Sequence, residues 1–323
     1  MPTLSERVLS GERNAISKAI TLAENRQYEY ADLLGELFVH TGRAHVVGMT
    51  GPPGTGKSSL VDLLVRFYRS KGKKVAVLAV DPSSPISGGA ILGDRIRMLE
   101  HSLDPDVYIR SMASRGDEGG LSKASRDVVR ILDAAGFDTI FVETVGIGQT
   151  EIEIVEVADT VVVVLMPELG DEIQAAKAGL VEIGDIFAIN KSDLPGADKV
   201  LYNLGSVLSA RKSGWHQVAM KVSAKTSEGI EDLVRALDEH KKFLAALSAG
   251  SNALSRKLCE ELVERVTDII STQLKEEIQN DPEFKVLVGK LLKKEIDPET
   301  AAYGLAQKYL IRKETIGKKS TEE

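Results

Sequence analysis

A glycine-rich loop between an apolar segment and a helix-like segment constrains the fold of this chain more than any other feature. The apolar segment spans residues 44–50, and residues 59–65 after the loop have a helix-like pattern. The loop fits G-x-x-x-x-G-K-[ST] and consists of Gly51, Pro52, Pro53, Gly54, Thr55, Gly56, Lys57 and Ser58. In such a loop, successive backbone N–H groups point at a phosphate, and the helix N-terminus adds positive potential. The sequence therefore predicts that the chain binds a nucleoside triphosphate.

Three residues at the end of this loop have predicted roles of their own. Lys57 is expected to bridge the β- and γ-phosphates, and Ser58 to offer its hydroxyl to Mg²⁺. Ser59, the next residue, is counted among the nucleotide-binding residues. A simple glycine turn before a helix needs neither a lysine nor a hydroxyl at these positions, so the pattern favours a phosphate site.

A second motif predicts which base is bound. The apolar segment that ends at Ile189 is followed by Asn190, Lys191, Ser192 and Asp193, which fit N-K-x-D. The carboxylate of Asp193 can accept from the ring N–H and the exocyclic amine of guanine, and such a site rejects the wrong base by about four orders of magnitude. Asn190 is expected to tie this loop to the phosphate loop, and the stem of Lys191 to cover one face of the base. The motif favours GTP over ATP.

A third segment supports the guanine assignment. Ser223, Ala224 and Lys225 stand at the end of a strand-like segment and are expected to supply a second base contact through a backbone N–H. N-K-x-D alone is a weak signal, because such a turn after a strand is common. Its position between a phosphate loop and a Ser-Ala-Lys segment makes the signal strong.

Short apolar segments rich in Val and Ile alternate with amphipathic segments between about residues 44 and 245. This alternation predicts an α/β fold of the P-loop NTPase class, with a mostly parallel sheet and helices on both faces. Ligands of open sheets bind beyond the C-terminal ends of the strands, where all these motifs fall. The predicted strands are 44–50, 74–80, 107–112, 138–143, 160–166, 185–190 and 217–223.

Helical patterns flank this region and predict N-terminal and C-terminal helical extensions. Residues 4–41 are expected to be helical, and Asp281-Pro282 and Asp297-Pro298 are each expected to start a helix. Beyond residue 250, a long helix carries an apolar stripe that could pack within the chain or against a second copy. The stripe consists of Leu254, Leu258, Leu262, Val266 and Ile269. The predicted domains are an extension at 1–42, a P-loop GTPase domain at 43–248, a helical region at 249–316 and a disordered tail at 317–323.

The composition, with 43% hydrophobic and 28% charged residues, is that of an ordinary soluble protein. The net charge of −7 gives no reason to expect nucleic acid or an anionic membrane as a partner. The sequence lacks an apolar run of membrane-spanning length and a signal-peptide core at its start, so we expect a cytoplasmic location. The single cysteine, Cys259, excludes an internal disulfide and is expected to be a small packed residue.

Two further strand ends carry candidate catalytic and metal-binding residues. A long loop rich in Gly and Pro separates Asp81, at a strand end, from Asp94, at a helix start. Both could reach Mg²⁺ beside Ser58, although Asp94 could also be a simple helix cap. Glu143 and Gly146 stand where most GTPases carry D-x-x-G, in which the acid touches Mg²⁺ through water and the glycine N–H touches the γ-phosphate.

Three other side chains are weaker candidates for chemistry. Arg95 or Arg97 could meet developing charge on the phosphate, with a solvated surface position as the alternative. Gln149 could orient the attacking water, although it lies three residues after the glycine rather than one.

Together, seven segments resemble the family of GTPases that chaperone adenosylcobalamin-dependent acyl-CoA mutases, notably methylmalonyl-CoA mutase. Some members were described earlier as an arginine/ornithine transport kinase or ATPase. The resemblance covers residues 4–310 and rests on GPPGTGKS, VDPSSP, SGGAILGDRIRM, ASRGDEGGLS, VETVGIGQTE, GDEIQAAKAGL and NKSD.

The resemblance implies roles for the residues that match these motifs. Lys57 and Ser58 would hold the phosphates of GTP or GDP and Mg²⁺, Asp81 and Asp94 would join the metal shell during turnover, and Glu143 would be the switch acid. The guanine-binding residues would be Asn190, Lys191, Asp193, Ser223 and Ala224. Residues 167–177 would be an extra switch that senses the mutase, and the helices at 249–316 would form a homodimer. The final helices match loosely, which leaves the dimer geometry open.

By this resemblance the chain is expected to be a slow GTPase whose bound nucleotide is read by a mutase, so that hydrolysis is coupled to loading of intact cofactor. The nearest approach to the cobalamin motif D-x-H-x-x-G is Asp238-Glu239-His240, with Phe243 in place of the glycine. The cofactor would therefore be held by the partner.

Two other functions remain as alternatives. One is a kinase or ATPase that serves a basic amino-acid transport system, which predicts a preference for ATP that Asp193 argues against. The other is a metal-delivery GTPase, which normally needs a cluster of Cys or His. The chain has one cysteine and five scattered histidines, His40, His45, His101, His216 and His240.

Overall fold

The structure is a computed structural model. It describes residues 1–25, 30–81, 99–101, 103–113, 120–144, 150–167, 179–208, 214–248 and 253–319.

A seven-stranded sheet forms the centre of the chain, with the order β3-β2-β4-β1-β5-β6-β7 and only parallel pairings. All seven predicted strands are confirmed, each within two residues of its expected bounds. The predicted P-loop NTPase fold class is likewise confirmed. The strands are β1 His45–Thr50, β2 Val75–Asp81, β3 Val107–Ala113, β4 Thr139–Thr144, β5 Thr160–Leu165, β6 Ile186–Ile189 and β7 Val218–Lys221.

Helices precede, connect and follow these strands. Residues 99–101 add a 3-10 turn, and residues 179–183 are helical. In the described ranges the remaining helices are α1 Leu4–Leu9, α2 Arg13–Asn25, α3 Tyr30–Phe38, α4 Lys57–Ser70, α5 Gly120–Ala134, α6 Thr150–Val157, α7 Ala197–Gly205, α8 Ile230–Ser248, α9 Ala253–Asn280, α10 Pro282–Leu292 and α11 Pro298–Lys319.

Helices cover each face of the sheet. Successive strand residues point to opposite sides, so neighbouring residues of one strand pack against different helices. Val47 of β1 belongs to a buried cluster with Leu60 of α4 and Leu233 of α8. The neighbouring Val46 belongs to a separate cluster that includes Ile131 of α5. The near-continuous apolar strands of the sequence are therefore buried on both faces, as the parallel-sheet prediction requires.

The chain divides into two compact units, Met1–Leu247 and Ser248–Glu323. The residues of the extension predicted at 1–42 belong to the first unit, and the predicted domain bounds stay predictions. In the second unit, α10 and α11 begin at Pro282 and Pro298, as their Asp-Pro pairs predict. The last helix ends at Lys319, inside the tail predicted at 317–323.

The C-terminal unit has its own polar anchor. Lys308 of α11 donates a 2.7 Å hydrogen bond to Oδ2 of Asp281, the N-cap of α10, and Tyr309 donates one of 2.9 Å to the same oxygen. These contacts, led by that of Lys308, hold the pKa of Asp281 at about 2.

Cys259 of α9 is exposed, so the expectation of a packed cysteine is wrong. The physical reason is that α9 presents most of its described side chains to solvent.

None of the helices within the described ranges is both long and apolar enough to cross a membrane.

A buried network of two histidines lies near the N-terminal ends of the central strands. His45 Nε2 is 2.7 Å from Thr160 Oγ1, which is 2.8 Å from His240 Nδ1. The second ring nitrogen of His240 lies 3.9 Å from the carboxylate of Asp185, and the indole of Trp215 packs against the His240 ring. Both histidines are 3% exposed. The network connects β1, β5 and α8 through a single hydroxyl.

This network predicts a specific pH dependence of stability. Burial first, and then the charges of Lys241 and His240, lower the pKa of His45 from 6.5 to about 3. His45 therefore binds a proton more tightly in the unfolded chain than in the folded one. The contribution of neutral His45 to the stability of the fold is complete above pH 6.5 and is lost as the pH falls toward 3. Between pH 7 and pH 5, we expect His45 to lower the free energy of unfolding by about 2 kcal/mol.

Urea unfolding of the wild type and of His45→Gln at both pH values measures this effect. Because every other titrating group is common to the two proteins, the difference between their pH dependences isolates His45. Equal pH dependence in the two proteins would contradict the prediction.

Candidate nucleotide-binding site

The phosphate loop connects β1 to α4 at the C-terminal edge of the sheet. Gly51 and Gly56 have φ angles of 133° and 89°, which residues other than glycine rarely adopt. Lys57 Nζ donates to the carbonyl oxygens of Gly51 at 2.8 Å and Pro52 at 3.1 Å, and Thr55 Oγ1 donates to Pro52 at 2.9 Å. The ammonium of the lysine is thus held across the loop, where it can meet bound phosphates.

Two glycines of this loop are predicted to differ sharply in their tolerance of a methyl group. A Cβ on Gly51 would lie 2.2 Å from the backbone oxygen of Val164, whereas one on Gly54 would meet no heavy atom within 4 Å. We expect Gly51→Ala to lower the free energy of unfolding by about 2–4 kcal/mol, since backbone must shift. Gly54→Ala, the matched control at a φ of 77°, should cost only about 1 kcal/mol. Urea unfolding compares the two, and equal losses would refute the predicted steric origin.

The serine of the phosphate loop lies beside the acid at the end of β4. Ser58 Oγ donates a 2.6 Å hydrogen bond to Glu143 Oε1, and both residues are buried, Glu143 being 4% exposed. A hydroxyl and a carboxylate oxygen are ligands that Mg²⁺ prefers. The structure thus brings together two predicted metal-binding residues that are far apart in the sequence.

Asn190 connects the guanine motif to the phosphate loop, as the sequence predicts. Its Nδ2 donates to the carbonyl oxygen of Thr55 at 2.8 Å, and its Oδ1 accepts from the backbone N–H of Ala224 at 3.0 Å. Asn190 is 1% exposed, so these contacts form inside the protein. One side chain thereby fixes the phosphate loop, N-K-x-D and the Ser-Ala-Lys segment relative to one another. Because the N–H of Ala224 is engaged in this way, a base contact through it stays a prediction.

The carboxylate of Asp193 is oriented by a neighbouring hydroxyl. Ser223 Oγ donates a 2.7 Å hydrogen bond to Asp193 Oδ1, and the backbone N–H of Thr226 donates to Ser223 Oγ at 3.2 Å. The Ser223 hydrogen bond, with a smaller effect from the charge of Lys225, lowers the pKa of Asp193. An ionised, oriented carboxylate is the acceptor that the two N–H donors of guanine need.

These loops line an open pocket of about 400 Å³. The end of the phosphate loop forms one side, and both guanine-motif segments form the other. The lining residues are Gly56, Ser59, Asn190, Lys191, Asp193, Leu194, Ala224 and Lys225. Such a volume is in the range of small-molecule sites.

The chain matches one known protein family over most of its length. The sequence profile of the family described as methylmalonyl-CoA mutase-associated GTPase MeaB matches residues 16–281, which is most of the chain. The chain belongs to the MeaB family. This match includes the phosphate loop, the Glu143 strand end and N-K-x-D.

Individual relatives are similar to this chain over most or nearly all of its length. A protein of Pyrococcus horikoshii named as a GTPase is 46% identical and covers 93% of this chain and 95% of its own. The mouse methylmalonic aciduria type A homolog, described as mitochondrial, is 33% identical over 77% of this chain and 65% of its own length. A solved structure described as LAO/AO transport system kinase is 25% identical, with a TM-score of 0.68, and covers 95% of this chain and 96% of its own. As a MeaB-family member, the chain is a GTP hydrolase.

Some predicted site residues of this MeaB-family chain fall outside the described residues. These are Asp94, Arg95, Arg97, Gly146, Gln149 and residues 168–177. Asp81 ends β2, and the description there covers its backbone. The proposed roles of all these residues stay predictions.

One pocket residue, Leu194, lies outside the motifs that predict the site. Leu194 lines the pocket directly after Asp193, and its backbone N–H donates to the carbonyl of Lys191 at 2.9 Å. Lys191, the first residue of this turn, has a left-handed backbone with a φ of 57°. The signal that could have identified Leu194 is its position beside the motif aspartate, where an apolar side chain can border a base.

Proposed function

We propose that this chain is a Mg²⁺-dependent GTPase that acts as a chaperone for an adenosylcobalamin-dependent acyl-CoA mutase, with methylmalonyl-CoA mutase as the first client to test. GTP binding and hydrolysis would be coupled to loading and protection of the mutase cofactor. The observation that carries the proposal is that a phosphate loop and a guanine motif share one pocket in a chain of the mutase-associated family.

Within this function, the pocket residues divide the recognition of GTP between them. The loop from Gly51 to Ser59 would bind the phosphates, with the ammonium of Lys57 neutralising their charge. Asp193 would select guanine, and Asn190 would keep the two halves of the pocket in register. Gly146 would contact the γ-phosphate through its N–H, which makes it the residue that distinguishes GTP from GDP.

Magnesium fits the residues at the mouth of the phosphate loop. The buried Ser58 hydroxyl and Glu143 carboxylate would hold it, and Asp81 and Asp94 would join them during turnover. When bound, the ion would neutralise negative charge on the β- and γ-phosphate oxygens. Glu143 has a longer side chain than the usual aspartate, and its position against Ser58 supports the role of switch acid.

The mutase, rather than this chain, is proposed to hold the cobalamin. His240 is the histidine of the nearest sequence match to a cobalamin motif, and it is buried with its Nδ1 against Thr160. A ring in that position is engaged in the packing of α8 against the sheet. This observation supports a cofactor site on the partner.

The C-terminal helices are proposed to form a homodimer. Leu258, Leu262, Val266 and Ile269 of the predicted apolar stripe are 41%, 63%, 46% and 58% exposed in the single chain. Exposed apolar patches of this kind often mark protein interfaces. We expect Leu262→Glu to convert a dimer into monomers in analytical ultracentrifugation, while Leu103→Glu, also exposed but outside the C-terminal helices, leaves the mass unchanged. A wild-type chain that sediments as a monomer would contradict the homodimer.

A second candidate is a nucleotide-dependent kinase or ATPase that serves a basic amino-acid transport system. The observation that favours it is the likeness to the structure described as LAO/AO transport system kinase. This function predicts phosphoryl transfer to a protein acceptor and a preference for ATP.

The deciding experiment is GTP hydrolysis by the purified chain, alone and with an adenosylcobalamin-dependent mutase from the same organism, with ATP in parallel. We expect the mutase to accelerate hydrolysis of GTP and to leave ATP turnover negligible. A rate of GTP hydrolysis that the mutase leaves unchanged, together with the absence of a complex, would contradict the chaperone function. Efficient ATP turnover would instead support the transport function.

A further inference from the structure

The C-terminal end of β5 touches both halves of the pocket. The backbone of Val164 lies against Gly51, the first residue of the phosphate loop, where a Cβ would come within 2.2 Å of the Val164 oxygen. The next carbonyl, that of Leu165, accepts a 2.7 Å hydrogen bond from the backbone N–H of Asn190. Residues directly after β5 are therefore held at the junction between the phosphate loop and the guanine motif.

Two side chains after β5 contact the loop that carries the guanine motif. Met166 Sδ lies 3.3 Å from Lys191 Nζ, at hydrogen-bond distance for a sulfur acceptor. Pro167 packs beside Gly196, where a Cβ would lie 3.5 Å from the proline Cβ. The contacts fall near both ends of the 190–196 loop, so the position of this loop depends on residues 166 and 167.

The backbone of Lys191 makes the contact with Met166 directional. Lys191 has a φ of 57°, which orients its Cα–Cβ bond in a way that a right-handed backbone would not. Its side chain is partly buried and lines the pocket. A flexible four-carbon stem loses rotamer entropy when it is ordered, so an acceptor for its ammonium helps to keep it in place before the ligand binds.

We propose that Met166 is a positioning residue for the bound guanine nucleotide. Its thioether holds the ammonium of Lys191, and the stem of Lys191 is thereby kept over one face of the base. This inference rests on the proposed role of Lys191 in covering the base. Met166, which lies outside every recognised motif, would then affect how long the nucleotide stays bound.

A stacking contact of this kind does not distinguish one purine from another. The stem covers the face of the ring, whereas Asp193 reads the edge that carries the exocyclic amine. Loss of the Met166 contact should therefore speed the release of guanosine and inosine diphosphates by the same factor. Loss of edge recognition would instead change the ratio between the two.

The test is the dissociation rate of a fluorescent GDP analogue from full-length protein, followed by stopped flow, and of the matching IDP analogue. Met166→Leu keeps the volume and removes the sulfur. We expect it to speed release of both nucleotides about two- to fivefold, the effect of losing one weak hydrogen bond. Met166→Gln offers an amide oxygen at similar reach and should restore the wild-type rate. The matched control is Met112→Leu, a buried methionine on the edge strand β3, which should leave the rate unchanged.

Lys191→Ala separates failure of this inference from failure of the proposed function. We expect it to speed release, and the addition of Met166→Leu to that variant to have no further effect, because the two side chains act as one unit. Faster release from Lys191→Ala with an unchanged Met166→Leu rate would overturn the inference alone. An unchanged rate in Lys191→Ala would overturn the proposed role of Lys191 and the inference with it. Release from Met166→Gln as fast as from Met166→Leu would also overturn it, since packing rather than an acceptor would then explain the effect.

Discussion

Asp193→Asn is expected to lower the affinity for GTP by about four orders of magnitude, which is the size of effect seen when a buried polar contact to a substrate group is mismatched. The carboxylate of Asp193, oriented by Ser223 at 2.7 Å, accepts from both the ring N–H and the exocyclic amine of guanine in the proposed complex. An amide replaces one of these acceptors by a donor. The exocyclic amine then faces an N–H₂ group without an acceptor.

The same substitution should create a site for xanthosine triphosphate. Xanthine carries an oxygen where guanine carries the amine, so the new amide can donate to it and still accept from the ring N–H. Calorimetric titration with both nucleotides measures the exchange of specificity. Asp198→Asn is the matched control, because Asp198 is an aspartate on α7 that contacts Lys221 rather than the pocket. Unchanged selectivity in Asp193→Asn would contradict the guanine site and favour the transport alternative.

Glu143→Gln is expected to lower kcat for GTP hydrolysis by about 10²–10³, the usual effect of removing one electrostatic contact to the transition state. The substitution keeps the shape of the side chain and its hydrogen bond with Ser58, but it removes the negative charge. Since the proposed Mg²⁺ site depends on that charge, the Mg²⁺ concentration for half-maximal activity should rise as well. Binding of GDP without Mg²⁺ should change much less.

Steady-state hydrolysis across a Mg²⁺ titration measures both effects. Glu143→Asp tests whether the longer side chain of glutamate is needed. We expect this variant to retain part of the activity because it keeps the charge. Glu156→Gln on α6 is the control for loss of one carboxylate away from the pocket. A wild-type Mg²⁺ response in Glu143→Gln would exclude Glu143 as the switch acid, whatever happened to kcat.

Most of the fold could be predicted from the sequence because its signals are local. Apolar runs, glycines and the order of strand and helix patterns act over a few residues, so all seven strands were located within two residues. The phosphate loop and N-K-x-D were recognised for the same reason. Each motif combines a backbone conformation with a side chain at a fixed spacing. The exposure of Cys259 could not be predicted in this way, because spacing on a helix does not reveal which face is covered.

The sequence by itself determined the fold class, the phosphate loop and the choice of guanine, since the relevant backbone and side chains lie within short segments. Only the tertiary structure decided that Ser58 meets Glu143, that Asn190 also accepts from Ala224, and that Met166 reaches Lys191. These pairs are separated by many residues, and the order of the strands brings them together at one edge of the sheet. Parallel strands end at the same edge, so residues from distant segments meet there, but which of them touch depends on packing that no local pattern encodes.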